Sequence, residues 1–306
     1  MQQHQLKGSL MLFFCALIWG LAFVAQSVGA DHVGAFTFNG LRSLIGAVFL
    51  IPCVAFFDRL AGRPFSIWGT DNKTEQQDLI TGGIVCGIVL TIASTLQQIG
   101  IGHTTVGKAG FITTLYIVIV PLLGIFVRRI PGVKVWCSVV VALIGMYLLC
   151  ISGSVRIGLG DALVIGCAFV FSIHILVMDH FAEQVDGVKL SCLQFLTSGV
   201  ICLVLAFLTE HPSWNALFAG IVPVLYAGIL SSGVGYTLQV VGQKKVEPTA
   251  ASLLLSMESV FSVLAGWVIL GQKLSARELL GCALVFTAVI CVQLPDKKKT
   301  KQVEIA

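Results

Sequence analysis

Charged side chains are scarce in this sequence. Asp, Glu, Lys and Arg together make up 11% of its 306 residues, against roughly 25% in an ordinary soluble domain. Apolar residues make up 57%, and the mean hydropathy is +0.95. In water, such a chain would expose a far larger apolar surface than soluble monomers tolerate. The composition therefore excludes a soluble protein and predicts that lipid surrounds most of the chain.

Sequence motifs for metal or catalytic chemistry are missing as well. No Cys-x-x-Cys or Cys/His cluster has metal-ligand spacing, and the ten cysteines all lie within apolar segments. The sequence also lacks a Gly-x-Ser-x-Gly elbow, a His-Glu-x-x-His motif and a glycine-rich phosphate-binding loop. We therefore expect no metal and no cofactor, and an intramembrane enzyme is the weakest of the alternative functions.

Ten apolar runs are long enough to cross a membrane. A helix of about 20 residues spans a hydrocarbon core of roughly 30 Å. The runs lie at 8–28, 34–57, 78–100, 104–127, 132–152, 160–178, 187–208, 214–239, 246–270 and 277–294. The sequence therefore predicts an all-α membrane protein with ten transmembrane helices.

The distribution of lysine and arginine indicates the orientation of these helices. With the N-terminus in the cytoplasm, 14 of the 19 basic residues are cytoplasmic. Short cytoplasmic loops carry an excess of positive charge. We therefore expect an integral protein of the cytoplasmic (inner or plasma) membrane, with both termini on the cytoplasmic side. The basic tail at Lys297–Lys301 is interpreted as a topology anchor, and no nucleic acid is expected as a partner, although basic tails also bind nucleic acid or anionic lipid.

The second half of the sequence aligns with the first. When residue numbers are shifted by 152, an offset of 152, the first two spans align with the sixth and seventh, and Arg42 aligns with Gln194. At an offset of 142, the third and fourth spans fall on the eighth and ninth, with Gln97 on Gln239. Inversion would bring the two residues of each pair towards a common axis.

Five spans per half is an odd number, so the second copy enters the membrane from the opposite side. We expect two inverted five-helix domains, at 1–152 and 153–306. Inverted repeats are typical of secondary transporters, whose binding site lies near the midplane between the two copies. The sequence therefore predicts a transporter that works by alternating access.

Short stretches in both halves carry a further signal. They are Ala16–Phe23, Leu41-Arg42, Gly107–Thr113, Ser256–Gly266, Leu270–Leu274 and Leu280-Gly281. These stretches resemble the EamA-type members of the drug/metabolite transporter superfamily, and the resemblance covers roughly residues 8–294. It implies ten helices in two five-helix repeats. The sequence departs from the family pattern at Ser259, where proline is common, and at Gln272, where glutamate is common.

Two charged side chains, Arg42 and Glu258, lie deep within predicted spans. Each costs about 2.5–3.5 kcal/mol at a helix centre if it has no partner. Glu258 is either a structural carboxylate or a group that binds substrate or a coupling proton. Arg42 compensates Glu258, binds an anionic group of the substrate, or anchors backbone carbonyls of neighbouring helices.

Uncharged polar and aromatic residues at mid-span complete the candidate site. The predicted substrate-binding residues are Trp19, Asn39, Gln97, Tyr116, His174, Gln194 and Gln239. Each alone also fits a role as a hydrogen-bonding contact between helices. Together, amides, aromatics and one charge of each sign suit a small amphipathic metabolite such as an amino acid. We expect an exporter or exchanger, and the alternative is a structural or sensory membrane protein without transport.

Breaks within the spans are also expected. Pro121 and Pro223 predict interruptions of the fourth and eighth helices, and Gly233 and Gly235 weaken the eighth further.

Overall fold

The computed structural model describes residues 2–68, 72–104, 106–126, 131–150, 157–270 and 275–293. Every regular element within these ranges is a helix, which confirms the predicted all-α class. The basic tail and the expected domain boundary near residue 152 lie outside the described residues.

The helices follow the predicted spans closely. The first half contains α1 (Gln2–Ala30), α2 (Ala35–Leu60), α3 (Lys73–Ile101), α4 (Val106–Thr113), α5 (Tyr116–Phe126) and α6 (Val133–Cys150). The second half contains α7 (Leu159–Ala182), α8 (Gly187–Thr209), α9 (Trp214–Ala219), α10 (Ile221–Leu225), a π-helix (Tyr226–Gly235), α11 (Tyr236–Gln243), α12 (Pro248–Leu255), α13 (Met257–Leu270) and α14 (Ala276–Gln293).

Eight helical segments among the described residues are long and apolar enough to cross a membrane. They are Gln5–Ala30, Ala35–Leu60, Lys73–Ile101, Ala109–Phe126, Leu159–Ala182, Gly187–Thr209, Ile221–Gln243 and Pro248–Ile269. Val133–Leu148 is a shorter apolar helix. The predicted number of ten exceeds this count by two. The fifth predicted span corresponds to the shorter helix α6, and the tenth corresponds to α14, and neither is among the eight.

Side-chain caps fix the start of two long helices. The Asn72 side chain accepts a hydrogen bond from the backbone N–H of Thr74 at the start of α3 (3.0 Å). The Asp186 carboxylate accepts hydrogen bonds from the N–H groups of Val188 and Lys189 at the start of α8 (2.9 and 3.2 Å). Such caps satisfy backbone donors that have no partner within the helix.

The fourth and ninth spans are both discontinuous, and they break at equivalent positions. The gap between α4 and α5 begins at Thr114, and α12 is separated from α13 by Ser256. These two residues are related by the offset of 142. Each donates its hydroxyl to the carbonyl three residues earlier, on Phe111 (2.8 Å) and on Leu253 (2.7 Å). Such hydroxyl bonds compete with the hydrogen bonds of the helix itself.

The predicted proline interruptions had different outcomes. Pro121 lies within α5, which is continuous, so the prediction of a break at this residue was wrong. The eighth span is irregular as predicted. The short helix α10 contains Pro223, and the π-helix that follows contains Gly233 and Gly235.

Helices from the two halves pack against each other in matched contacts. A Cβ atom on Gly8 would lie 2.9 Å from the carbonyl oxygen of Gly242, and one on Gly160 would lie 2.9 Å from that of Gly100. Gly8 is equivalent to Gly160 at the offset of 152, and Gly100 to Gly242 at 142. The same close contact therefore occurs twice, with the halves exchanged.

Helices α2 and α8 pack along each other and are fastened at both ends. At one end, Lys189 Nζ lies 2.9 Å from Asp58 Oδ2, and both side chains are buried. At the other end, Glu210 Oε2 accepts hydrogen bonds from the N–H and the hydroxyl of Thr37, both at 2.7 Å. Asp58 is equivalent to Glu210, and Thr37 to Lys189, at the offset of 152. We call these contacts the lysine clasp and the threonine clasp.

Large apolar side chains cover much of the outer surface. Phe126, Val133 and Val268 are among those more than 70% exposed. In water such exposure would be unfavourable, whereas lipid tails are as apolar as these side chains. The surface therefore fits a protein embedded in a bilayer.

Candidate functional site

A cavity lies between the two halves, beside both helix breaks. The centre of a water molecule can occupy about 30 Å³ of it, within about 480 Å³ of unfilled space that includes open solvent. Its walls are formed by Trp19, Ala22, Phe23, Gln26, Arg42, Gln97, Thr113, Tyr116, Phe171, Ile175, Ser231, Tyr236, Gln239, Leu255 and Glu258. A mostly apolar and aromatic lining with a few polar groups is typical of small-molecule sites.

Most wall residues form equivalent pairs, one from each half. The pairs at the offset of 152 are Trp19 with Phe171 and Phe23 with Ile175, and those at 142 are Gln97 with Gln239, Thr113 with Leu255 and Tyr116 with Glu258. Each pair contributes to the same cavity. Equivalent positions of the two halves therefore line opposite parts of one cavity.

A hydrogen bond joins two of these equivalent residues. The Tyr116 hydroxyl donates to Glu258 Oε1 at 2.9 Å, and both side chains are buried. Tyr116 is the first residue of α5, and Glu258 is the second residue of α13. Each therefore lies at a helix start created by a break, where the helix dipole favours negative charge. The carboxyl group of Glu258 has a neutral partner in the wall.

The two equivalent glutamines both face the cavity. Gln97 donates from Nε2 to the hydroxyl of Thr113 at 3.3 Å. Gln239 is buried, and its Oε1 accepts no hydrogen bond in the part of the chain that the structure describes. An amide with an unused oxygen beside a cavity can accept a hydrogen bond from a ligand.

An aromatic wall forms around Trp19. Its indole N–H donates to the backbone carbonyl of Ser231 in the π-helix at 3.3 Å. Its ring lies 4.6 Å from that of Tyr236, and the Tyr236 ring in turn makes an edge contact with Phe195 at 5.1 Å. The π-helix thus supplies a carbonyl that orients the indole. Sequence reasoning identified Trp19 but neither Tyr236 nor Ser231.

Arg42 lines the cavity, and no charged side chain among the described residues pairs with it. Its side chain is buried, and the ring of Phe38 lies 6.0 Å from its Cζ. Among the described residues, it forms no ion pair with Glu258, and its Nε–H has no acceptor. No backbone carbonyl in those ranges accepts a hydrogen bond from it. Direct compensation of Glu258 and anchoring of carbonyls, two of the roles open from the sequence, are therefore not seen here.

Three predicted residues lie behind the wall rather than in it. His174 Nε2 and Gln194 Oε1 are 3.1 Å apart, and both residues are fully buried. The His174 ring contacts the ring of Tyr236 with the centroids 6.1 Å apart. Asn39 is fully buried, and neither atom of its amide has a partner within the described residues. The structure brings the other predicted residues together around the cavity.

Within the described ranges, no three His, Cys, Asp or Glu side chains are grouped so that they could hold a metal ion. The cavity offers hydrogen bonds, aromatic surface, one guanidinium and one carboxyl group. These groups can bind and orient a small molecule.

An all-helical membrane protein with a cavity between two similar halves, lined by polar as well as apolar side chains, has the architecture of a transporter. Comparison with known proteins agrees. The EamA-like transporter family matches residues 6–151 and 158–294, and the chain belongs to this family. It is an integral membrane protein, and each half carries one copy of the family domain.

Similar proteins share nearly the full length of the chain. An "Uncharacterized transporter" of Archaeoglobus fulgidus is 27% identical to this chain. The alignment covers 95% of this chain and 87% of that protein. The "Uncharacterized transporter YoaV" of Bacillus subtilis is 24% identical, with 94% of it and 91% of this chain aligned. A solved structure named "Crystal structure of protein" has a TM-score of 0.75 at 17% identity, covering 93% of this chain and 96% of its own. The latter likeness supports the fold alone.

Proposed function

We propose that the protein is a secondary transporter for a small metabolite such as an amino acid, acting as an exporter or exchanger. Its two domains, 1–152 and 153–306, are inverted five-helix repeats that expose the cavity to each side of the membrane in turn. The observation that carries the proposal is the cavity wall, because most of its residues are equivalent pairs from the two halves. Inverted-repeat transporters bind their substrates at such an interface.

The inversion of the second half is supported by the α2–α8 pair. The lysine clasp joins the end of α2 to the start of α8, and the threonine clasp joins the start of α2 to the end of α8. The two helices are therefore antiparallel, and equivalent clasps lie at opposite ends of the pair. A twofold axis in the membrane plane relates contacts in this way. With both termini in the cytoplasm, the lysine clasp lies on the cytoplasmic side.

The two helix breaks support transport rather than a structural role. Discontinuous helices in corresponding positions of two repeats are typical of transporter binding sites. Here the breaks at Thr114 and Ser256 place Tyr116 and Glu258 in the cavity wall. A membrane protein with only a structural role has no need for broken backbone beside a polar cavity.

The chemistry of the wall suits an amphipathic solute. Trp19, Phe23 and Tyr236 offer aromatic surface, while Gln97 and Gln239 offer amide groups. Arg42 and Glu258 add one group of each charge type. An amino acid presents a carboxylate, an ammonium group and a side chain, and it matches all three kinds of wall group.

Counterflow in proteoliposomes tests this function. The purified full-length protein is reconstituted and loaded with unlabelled amino acids, and uptake of the same labelled amino acids is followed. We expect saturable uptake that internal substrate stimulates. Flux that does not saturate and is not stimulated from the opposite side would indicate a channel. Uptake equal to that of protein-free vesicles for every amino acid would refute the proposed substrate class.

A further inference from the structure

We propose that Arg42 is the site at which the cavity binds a carboxylate group of the substrate. This inference rests on the transport function proposed above and assigns one of its binding residues. Arg42 is 3% exposed, lines the cavity and has no carboxylate partner among the described residues. A guanidinium group offers a planar fork of N–H donors that matches the two oxygens of a carboxylate.

The buried lysine of the same chain, Lys189, is an example of a buried cation with a structural role. Arg42 and Lys189 are the buried arginine and the buried lysine of the described ranges, each 3% exposed. Lys189 has an ion-pair partner in Asp58 at 2.9 Å. Arg42 has none, and its Nε–H lacks an acceptor within the described residues. A buried charge without a partner is costly, so an anion that enters the cavity gains an interaction that no protein group supplies.

The equivalent position in the other half shows that the fold does not require a charge here. Gln194 occupies that position in α8, where it is fully buried and contacts His174. A glutamine is therefore compatible with this depth and packing. The arginine in the first half adds a function that the repeat architecture itself does not need.

The second charge type in the wall favours a carboxylate over a phosphate group. Glu258 lines the same cavity as Arg42. A dianionic phosphate would face one guanidinium and one carboxyl group, and its second charge would be uncompensated. A monoanionic carboxylate needs one cation only, and an ammonium group on the same solute is attracted to Glu258.

The test compares amino acids with their uncharged carboxamides. Proteoliposomes with the full-length protein are assayed for counterflow of labelled L-phenylalanine, L-leucine and L-threonine, with each carboxamide and inorganic phosphate as competitors. We expect each carboxamide to compete at least about tenfold more weakly than its parent acid, the size of effect produced by losing charge-assisted hydrogen bonds. Arg42→Gln should abolish the preference for the acid. Arg59→Gln, which removes an exposed positive charge from the same helix, should keep it.

The outcomes separate the two proposals. Saturable counterflow in which acid and carboxamide compete equally would leave transport in place and overturn the carboxylate site. Phosphate competing more strongly than the amino acids would also overturn it. Uptake of none of the probes would reject the substrate class and this assignment together. The comparison of acid and carboxamide uses the unmodified protein and tests carboxylate recognition by itself. Where Arg42→Gln fails to fold, Arg42→Lys, which keeps the charge but not the planar fork, tests the assignment to Arg42 by a weakened preference for the acid.

Discussion

Tyr116 and Glu258 occupy the same position in the two halves, and the hydroxyl of one donates a hydrogen bond to the carboxyl group of the other at 2.9 Å. The bond joins the two halves at the point where the fourth and ninth spans are broken. A movement that separates the halves at this point breaks the bond, and the opposite movement restores it.

Removing the Tyr116 hydroxyl should destabilise the protein. Tyr116→Phe leaves Glu258 without its partner in a buried wall, and the loss of a hydrogen bond to a carboxyl group costs about 1.5–3 kcal/mol. We expect a lower midpoint of thermal unfolding in detergent. The matched control is Tyr147→Phe, which removes a hydroxyl from a ring that is 43% exposed. Equal midpoints for the two variants would contradict the prediction.

Glu258→Gln should uncouple transport from protons without unfolding the protein. Arg42 does not pair with Glu258 among the described residues, and the amide oxygen of glutamine can still accept a hydrogen bond from Tyr116. We therefore expect loss of accumulation driven by a pH gradient, with exchange of substrate for substrate retained. Proteoliposome flux with and without a gradient measures both activities. Full dependence on the gradient in the variant would exclude Glu258 as the coupling group.

The paired glutamines should contribute to substrate affinity. Gln97→Leu and Gln239→Leu each remove an amide from the cavity wall, and one lost hydrogen bond corresponds to about a 2–10-fold rise in KM. The control is Gln77→Leu, an exposed glutamine on the same helix as Gln97. Expression in the membrane is matched by quantitative blotting. Unchanged KM in both wall variants would place the binding site elsewhere.

The lysine clasp should contribute more to stability than the exposed ion pair that shares its carboxylate. Asp58→Asn leaves buried Lys189 without its ion-pair partner, a change that costs about 3–5 kcal/mol. Arg63 contacts the same carboxylate at 3.5 Å but is 41% exposed, so Arg63→Gln should cost less than about 1 kcal/mol. Chemical unfolding in mild detergent measures both. Comparable losses for the two variants would show that the lysine clasp has little energetic weight.

The orientation can be tested by labelling single cysteines in a cysteine-free background. Asp31 and Trp68 are exposed residues in the loops on either side of α2. We expect a membrane-impermeant maleimide to reach Asp31→Cys on intact cells and to reach Trp68→Cys only after permeabilisation. The reverse pattern would show that the termini face outwards.

The depth of each polar residue in the membrane could be predicted from the sequence. The face of the helix on which its side chain lies could not. A charged residue deep within an apolar run must lie well inside the membrane, which is why Arg42 and Glu258 were identified. His174 and Gln194 lie at similar depth and point behind the wall. Both faces of a membrane helix are apolar, so the pattern does not indicate which face is turned towards the cavity.

Some missed features had a signal in the sequence. The offset of 152 relates Trp19 to Phe171, and the offset of 142 relates Glu258 to Tyr116. Applying the repeat to each candidate would have predicted Phe171 as a wall residue. The break at Thr114 had no such signal, because a serine or threonine hydroxyl interrupts the helix there and not a proline. Such hydroxyls are common in helices that remain continuous.

Clasps join α2 and α8 at both ends of the pair. Splaying it at either membrane face requires breaking a clasp, and any movement that keeps both clasps carries the two helices as one rigid body. The ends are not equally easy to open. At the lysine clasp, two buried opposite charges would have to part, whereas at the threonine clasp Glu210 would exchange neutral donors for water. An arrangement that is symmetric in position is thus asymmetric in energy, and we expect the helix pair to separate more readily at the face of Glu210.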